Sequence, residues 1–246
     1  MNVCLADLHV HTALSPCADG EMTPPAIVER ALAEGLGMIA VCDHNSARNT
    51  AAVQEAAGVR LAVLAGMEVT TAEECHVVGL FPDAGAAAAA GLEVGATLPC
   101  TDDGYEAFFG EQLVLDAGGA EVAREGRALA TATTLDVDAV VALIHRHGGL
   151  AVAAHIDRRS FGVISQLGFF PAAAGFDAVE VSRHVADDAA AEEPFRVHGL
   201  PLMHSSDAHY LAQIGVARTA VRCERPGFDE LALALAGREG RSVGHA

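Results

Sequence analysis

Tryptophan and lysine are both missing from this 246-residue chain, and aromatic residues make up only 4% of it. A core must therefore be built from small aliphatic side chains, which the 51% hydrophobic content supplies. Without lysine, no metal pair can be bridged by a lysine or a carboxylated lysine. No apolar run approaches the roughly 18 to 20 residues of a membrane span. No basic segment followed by an apolar stretch opens the chain, so a soluble, cytoplasmic protein with no membrane partner is expected. Positive charge is scarce, 33 Asp and Glu against 15 Arg, for a net charge of −18. Such a surface repels polyanions, which predicts no long duplex nucleic acid partner. A single phosphate held by bound cations stays compatible with it. Six cysteines (4, 17, 42, 75, 100 and 223) occur without a CxxC pair, and a disulfide framework is not expected.

The length suits a single domain over 1–246. Apolar, strand-like runs recur at 3–11, 38–44, 60–70, 76–81, 148–155, 176–182 and 200–209. Helical patterns lie between several of them: 23–36 with Thr23 as N-cap and prolines in its first turn, 46–58, 136–149, and 187–199 interrupted by Pro194. "RTAVRCE" and "FDELALALAG" read as a last strand and a closing helix. The alternation predicts an α/β fold with a parallel sheet or barrel. Residues 82–134 break the rhythm with an alanine/glycine tract and an acidic patch. They are expected to be an insertion, with a small hairpin, that is either a lid or a loose excursion.

Polar residues gather at the C-terminal ends of the strand-like runs, the rim where α/β folds build their sites. His9 and His11 share one strand face with Asp7, because alternate residues point the same way. Asp43 with His44, Glu68, His76, His155, and Asp207 with His209 follow in order. Imidazoles and carboxylates together suit Zn, Mn or Fe in a catalytic site with an open position. A single histidine on an apolar strand would carry little weight; the recurrence at strand tips carries the argument.

"DLHVHT", "VCDHNS", "GMEVT", "ECHVVGLF", "AVAAH" and "SSDAH" together resemble the motifs of the PHP family (polymerase and histidinol phosphatase domains), in the family's order and across nearly the whole chain. The resemblance implies a distorted (β/α)7 barrel with an insertion after the fourth strand, two or three divalent metal ions, and hydrolysis of phosphate esters. It further implies that His9, His11, Glu68 and Asp207 hold a first metal, that Glu68 bridges to a second held by His76 and His155, and that Asp19, His44 and His209 hold a third. "SPCADG" is longer than the "SDG" of many members, so Cys17 and Asp19 compete for one place. Asp19 is preferred because Gly20 follows it shortly before a helix start. Asp7 and Asp43 would either accept the free ring N–H of a ligand histidine or cap local turns.

The implied chemistry is metal-activated hydrolysis with charge neutralisation of the phosphate. Asp207 and His209 are the catalytic candidates, His209 as acid for the leaving oxygen. Arg158, Arg159, Arg183 and His184 follow strand ends and are candidates for phosphate binding. A small phosphorylated substrate, such as a phosphomonoester or nucleotide, is expected. An amidohydrolase-type barrel hydrolase and a non-catalytic metal-binding domain are the alternatives. The first usually adds the bridging lysine missing here; the second sits poorly with a full set of ligand positions. The oligomeric state is left open.

Overall fold

In the computed structural model, which describes residues 1–102, 104–185 and 188–245, the chain enters through β1 (Asn2–Val10), whose last five residues are all buried. There follow α1 (Pro24–Ala33), β2 (Met38–Val41), α2 (Thr50–Ala57), β3 (Ala62–Thr70) and β4 (His76–Phe81). Next come α3 (Ala84–Gly95), α4 (Tyr105–Phe109), β5 (Leu113–Leu115), β6 (Glu121–Arg124), α5 (Val137–Arg146) and β7 (Leu150–Ala153). The last elements are α6 (Val163–Leu167), β8 (Ala178–Val181), α7 (Ala189–Glu192), β9 (Leu202–His204), β10 (Thr219–Cys223), α8 (Phe228–Leu235) and β11 (Ser242–Gly244).

Nine strands form one sheet in the order β11-β10-β1-β2-β3-β4-β7-β8-β9. The strands β1-β2-β3 run parallel, as do β7-β8-β9. Central strands such as β2 (MIAV) are buried throughout, as continuous apolar runs in parallel sheets require. The strand β4 departs from the βα rhythm and pairs antiparallel with β3 and β7. Only five residues separate it from β3, too few for a parallel crossover. The resulting register sets Thr70 opposite His76 and Glu68 opposite Val78, bringing the start of β4 to the rim where β3 ends. Past β9, Ala208 pairs with Val10 at the tip of β1: the His11 N–H donates to the Ala208 carbonyl (2.9 Å) and the Ala208 N–H to the His9 carbonyl (3.2 Å). The sheet is thereby a nearly closed barrel, as the alternation predicts.

Thr23 precedes α1 without a side-chain capping bond, and the helix expected over 46–58 begins only at Thr50, whereas α5 follows its sequence signal. In α5, Asp136 accepts from the Ala139 N–H (2.8 Å), and Val137, Val140, Val141 and Ile144 bury one stripe against the sheet. The expected helix at 187–199 is reduced to α7 and a 3-10 turn over Glu193–Phe195, since Pro194 lacks the N–H needed to continue it; Asp187 lies outside the described residues. The alanine/glycine tract after β4 is no loose excursion. It forms α3, which buries Ala87, Ala90 and Val94 in the core. Uniformly small side chains give little hydrophobic contrast in the sequence, yet they let this helix approach closely. The β5–β6 hairpin follows as expected, and its surroundings are tied to the rim. Leu113 N–H donates to the Ala13 carbonyl (2.9 Å), and the Asn45 amide to the carbonyls of Leu129 (2.9 Å) and Thr131 (3.0 Å). Among the described residues all six cysteines are free, and no helix is long and apolar enough to cross a membrane.

Candidate metal centre

The strand β1 delivers His9 and His11 fully buried, and each ring is steered by its Nδ1 atom. For His9 the partner is the buried Glu180 carboxylate of β8, at 3.1 and 3.2 Å; for His11 it is Ser15 Oγ at 2.9 Å. Both Nε2 atoms are thus aimed at the same two carboxylates. His9 Nε2 lies 3.4 Å from Glu68 Oε1 and 3.5 Å from Asp207 Oδ1. His11 Nε2 lies 2.9 Å from Asp207 Oδ1 and 3.5 Å from Glu68 Oε2. These four residues form one group able to hold an ion.

Glu68 is the hub. Besides His9 and His11, its carboxylate oxygens lie 2.7 Å from His76 Nδ1, 2.9 Å from His44 Nδ1 and 3.1 Å from His155 Nε2. His76 and His155 are themselves 3.3 Å apart. Burial alone would raise the Glu68 pKa, but the facing imidazoles hold it well below the usual carboxylate range. His9 is raised well above its ordinary value: burial lowers it, and Glu180, Glu68 and Asp207 outweigh that. His76 is pushed down to about 4, burial being the main cause. Two residues of this rim hold backbone conformations rare outside glycine, His155 at φ 29° and Asp207 at φ 50°.

His44, Glu68 and His76 form a second group, which takes His44 where His155 was expected, and the third comprises His11, His44 and His209. Asp19 belongs to no such group among the described residues; its carboxylate accepts from the Glu21 N–H (2.8 Å) in a local turn. Cys17 instead sits beside the histidines of this group. Burial raises its thiol pKa, but hydrogen bonding with His209 and His44 outweighs this and holds it at about 6.

Asp7 and Asp43, expected either to accept from ligand histidines or to cap turns, receive no imidazole proton. Asp7 is two residues, about 7 Å, down the strand from His9. It accepts from the Ser206 N–H (3.0 Å), Ser206 Oγ (2.6 Å) and the Gly215 N–H (2.8 Å), fixing the loop that carries Asp207. Asp43 accepts from the Thr12 N–H (2.7 Å), Thr12 Oγ1 (2.7 Å) and Ser15 Oγ (2.7 Å), so it reaches His11 only through Ser15. The ring-orienting carboxylate is Glu180, which also accepts from the His155 N–H (3.2 Å). Sequence reading missed it, although the acid inside the otherwise apolar strand "AVEV" was the available signal. Of the candidate phosphate binders, Arg158 meets Asp207 Oδ2 at 2.6 Å and Arg183 donates to the Ser206 carbonyl (3.2 Å). Arg159 and His184 are exposed on the same loops.

The donors fit divalent ions. His9 Nε2, His44 Nδ1 and Glu68 Oε2 are buried without a hydrogen-bond partner. His44 Nδ1 and Glu68 Oε2 stand 2.9 Å apart without the alignment of a hydrogen bond. Orphaned polar atoms converging in this way are costly unless a cation engages them. Imidazole with carboxylate suits Zn, Mn or Fe.

The sequence model of the PHP domain matches residues 7–166, and that of a PHP-associated region matches residues 189–242. The 5'-3' exoribonuclease Rnm of Escherichia coli is 38% identical over 83 residues, which cover 31% of this chain and 27% of that protein. Among solved structures, the lesion-specific endonuclease PfuEndoQ of Pyrococcus furiosus superposes with a TM-score of 0.76 at 18% identity, over 98% of this chain and 58% of that one. An amidohydrolase from Chromobacterium violaceum gives 0.61 at 23% identity, over 86% and 90%. An Endonuclease Q has also been solved with a 27-mer duplex substrate, at a TM-score of 0.74, 17% identity and coverage of 98% and 58%. These relatives overturn the expectation of a small phosphorylated substrate and no long duplex partner. That expectation used the net charge of −18, a sum over the whole surface, whereas charges beyond a Debye length of about 8 Å are largely screened at a binding rim. With a family match over residues 7–166, more than half of its length, the chain belongs to the PHP domain family.

Proposed function

We propose that the chain is a metal-dependent phosphoesterase that hydrolyses phosphate esters of nucleic acid at this rim. The observation that carries the reading is the Glu68 carboxylate, buried and within 3.5 Å of five imidazoles, with Asp207 beside it. The names of the exoribonuclease and endonuclease relatives favour nucleic acid as the substrate class. The missing lysine speaks against the amidohydrolase alternative.

In this reading His9, His11, Glu68 and Asp207 hold one ion, Glu68, His76 and His155 a second, and His44 and His209 take part in a third with His11, while Asp19 is left to its own turn. Zn, Mn or Fe in these places would lower the pKa of a water molecule towards neutrality and offset the charge of the phosphate oxygens. The chain's own residues do the positioning. Glu180 and Ser15 engage Nδ1 of His9 and His11, so that each Nε2 presents its lone pair inward. Arg158, seated on Asp207, and Arg183, seated on the Ser206 carbonyl, bring cationic charge to the rim, where a guanidinium can bind phosphate in two-pronged fashion. His209, only partly buried, is in this reading the candidate to pass a proton to the leaving oxygen when only two ions are held.

The test is hydrolysis of end-labelled RNA and DNA strands and of bis-p-nitrophenyl phosphate, with Mn or Zn supplied. His9→Ala and Asp207→Ala are expected to abolish turnover and to lose at least one metal equivalent. Full activity and full metal content in both variants would overturn the assignment.

A further inference from the structure

Between His155 and α6 the chain makes a tight loop that carries more than a metal-competent histidine. Phe161 lies at its far end with its ring stacked on the His76 imidazole, centroids 4.4 Å apart and planes at 15°. One face of the phenyl ring is covered by His76, while the residue remains 40% exposed. Its backbone sits at φ 62°, a conformation that bulky residues rarely adopt. The loop is held that way from several sides. The His76 N–H donates to the Phe161 carbonyl (2.9 Å), and Ser165 Oγ lies 2.7 to 3.0 Å from the carbonyls of Arg158, Arg159 and Gly162. A Cβ at Gly162 would come within 2.5 Å of the Arg158 carbonyl, so only glycine permits this turn. Holding His76 does not explain an exposed ring, because the Phe161 carbonyl already anchors the His76 backbone.

Strained conformations fixed by their surroundings cluster at ligand sites, and the ring's neighbours indicate the ligand. Arg158 and Arg159 precede it in the loop; Arg159 is exposed and engages no carboxylate among the described residues. An aromatic face stacked on a metal-competent histidine, in a loop that also carries two arginines, matches one nucleotide: phosphate, then base. We propose that Phe161 is the stacking platform for an unpaired nucleobase next to the phosphate being cleaved, with Arg159 binding the neighbouring backbone phosphate. The inference rests on the reading of the chain as a nucleic-acid phosphoesterase and adds a preference for single-stranded ends or extruded bases over paired ones. Stacking of a base on an aromatic side chain is sequence-tolerant, so this subsite selects strandedness rather than sequence.

The experiment uses the full, metal-loaded chain and short oligonucleotides that carry either a base or an abasic residue beside the scissile phosphate. Phe161→Ala is expected to raise KM on the base-bearing strand by about 5- to 150-fold, the range that one base–aromatic stack supplies. Its kcat, its metal content and its rate on the abasic strand should be unchanged, and Phe161→Tyr should restore KM. Phe161→Trp gives the chain its sole tryptophan; its fluorescence should be quenched by the base-bearing strand and not by the abasic one. Equal losses on both strands, or loss of metal from Phe161→Ala, would reduce Phe161 to a support for His76 and overturn the inference. Wild-type hydrolysis that ignores the abasic change would overturn it alone and leave the proposed function standing. Turnover of bis-p-nitrophenyl phosphate with no action on any strand would overturn both.

Discussion

Glu180 offers the most direct test of how the centre is built, because it binds no substrate in the proposed reading and reaches the metals only through other residues. Replacing it by glutamine keeps its size and one acceptor oxygen but removes the charge facing His9 Nδ1 at 3.1 and 3.2 Å and the His155 N–H at 3.2 Å. A charge-assisted hydrogen bond contributes roughly 1.5–3 kcal/mol and a neutral one about 0.5–1.5. Weakening two of them should therefore cost about 2 kcal/mol, shared between fold stability and metal affinity. Partners of this kind typically change metal affinity by about 10- to 100-fold. At a free metal concentration ten times the wild-type Kd, occupancy would fall from about 90% to between about 10% and 50%, taking that range of weakening. Chelator-competition titration followed by elemental analysis measures it, with saturating metal restoring the full stoichiometry. A Kd within about threefold of wild type would refute the orienting role. A lost equivalent that no metal concentration restores would make Glu180 a ligand in its own right.

Three further outcomes follow from the same geometry. Asp19→Asn should keep the full metal content, since the Asp19 carboxylate is engaged by the Glu21 N–H; loss of one equivalent by elemental analysis would return Asp19 to the ligand set. Stripping the protein with a chelator leaves the orphaned donors around Glu68 unmatched. Re-addition of metal at about 100 times Kd should raise stability by about 2.7 kcal/mol, or Tm by roughly 5 to 10 °C for a chain this size, and an unchanged melting curve would count against a built site. In the core, Ile144→Ala should cost about 2–5 kcal/mol, because Ile144 is fully buried against β4 and β7; denaturant unfolding with a loss under 1 kcal/mol would contradict that packing.

Much of the architecture was legible in the residues themselves. Parallel strands buried on both faces must be continuous apolar runs, so "MIAV" announces itself. The polar residues that end such runs, from His9 and His11 to Asp207 and His209, stand out for the same reason. Helix α3 was less legible, because a tract of alanine and glycine has no apolar stripe for periodicity to detect; its burial depends on what it packs against. The family resemblance implied a bridging Glu68, but residue spacing alone could not, since its neighbours depend on the antiparallel pairing that sets β4 against β3.

The motif "DLHVHTALSPCADG" illustrates the division. Alternation along a strand by itself placed His9 and His11 on one face. It could not say that the carboxylate orienting His9 would arrive from β8, 171 residues away, or that Asp7 would turn to the loop after β9 instead. It could not place Asp19 in its own turn and Cys17 beside His44 and His209. Local spacing determines which side chains share a strand face or a helix stripe. Which of them meet across the barrel depends on strand order, register and loop conformation, and these are properties of the closed sheet as a whole.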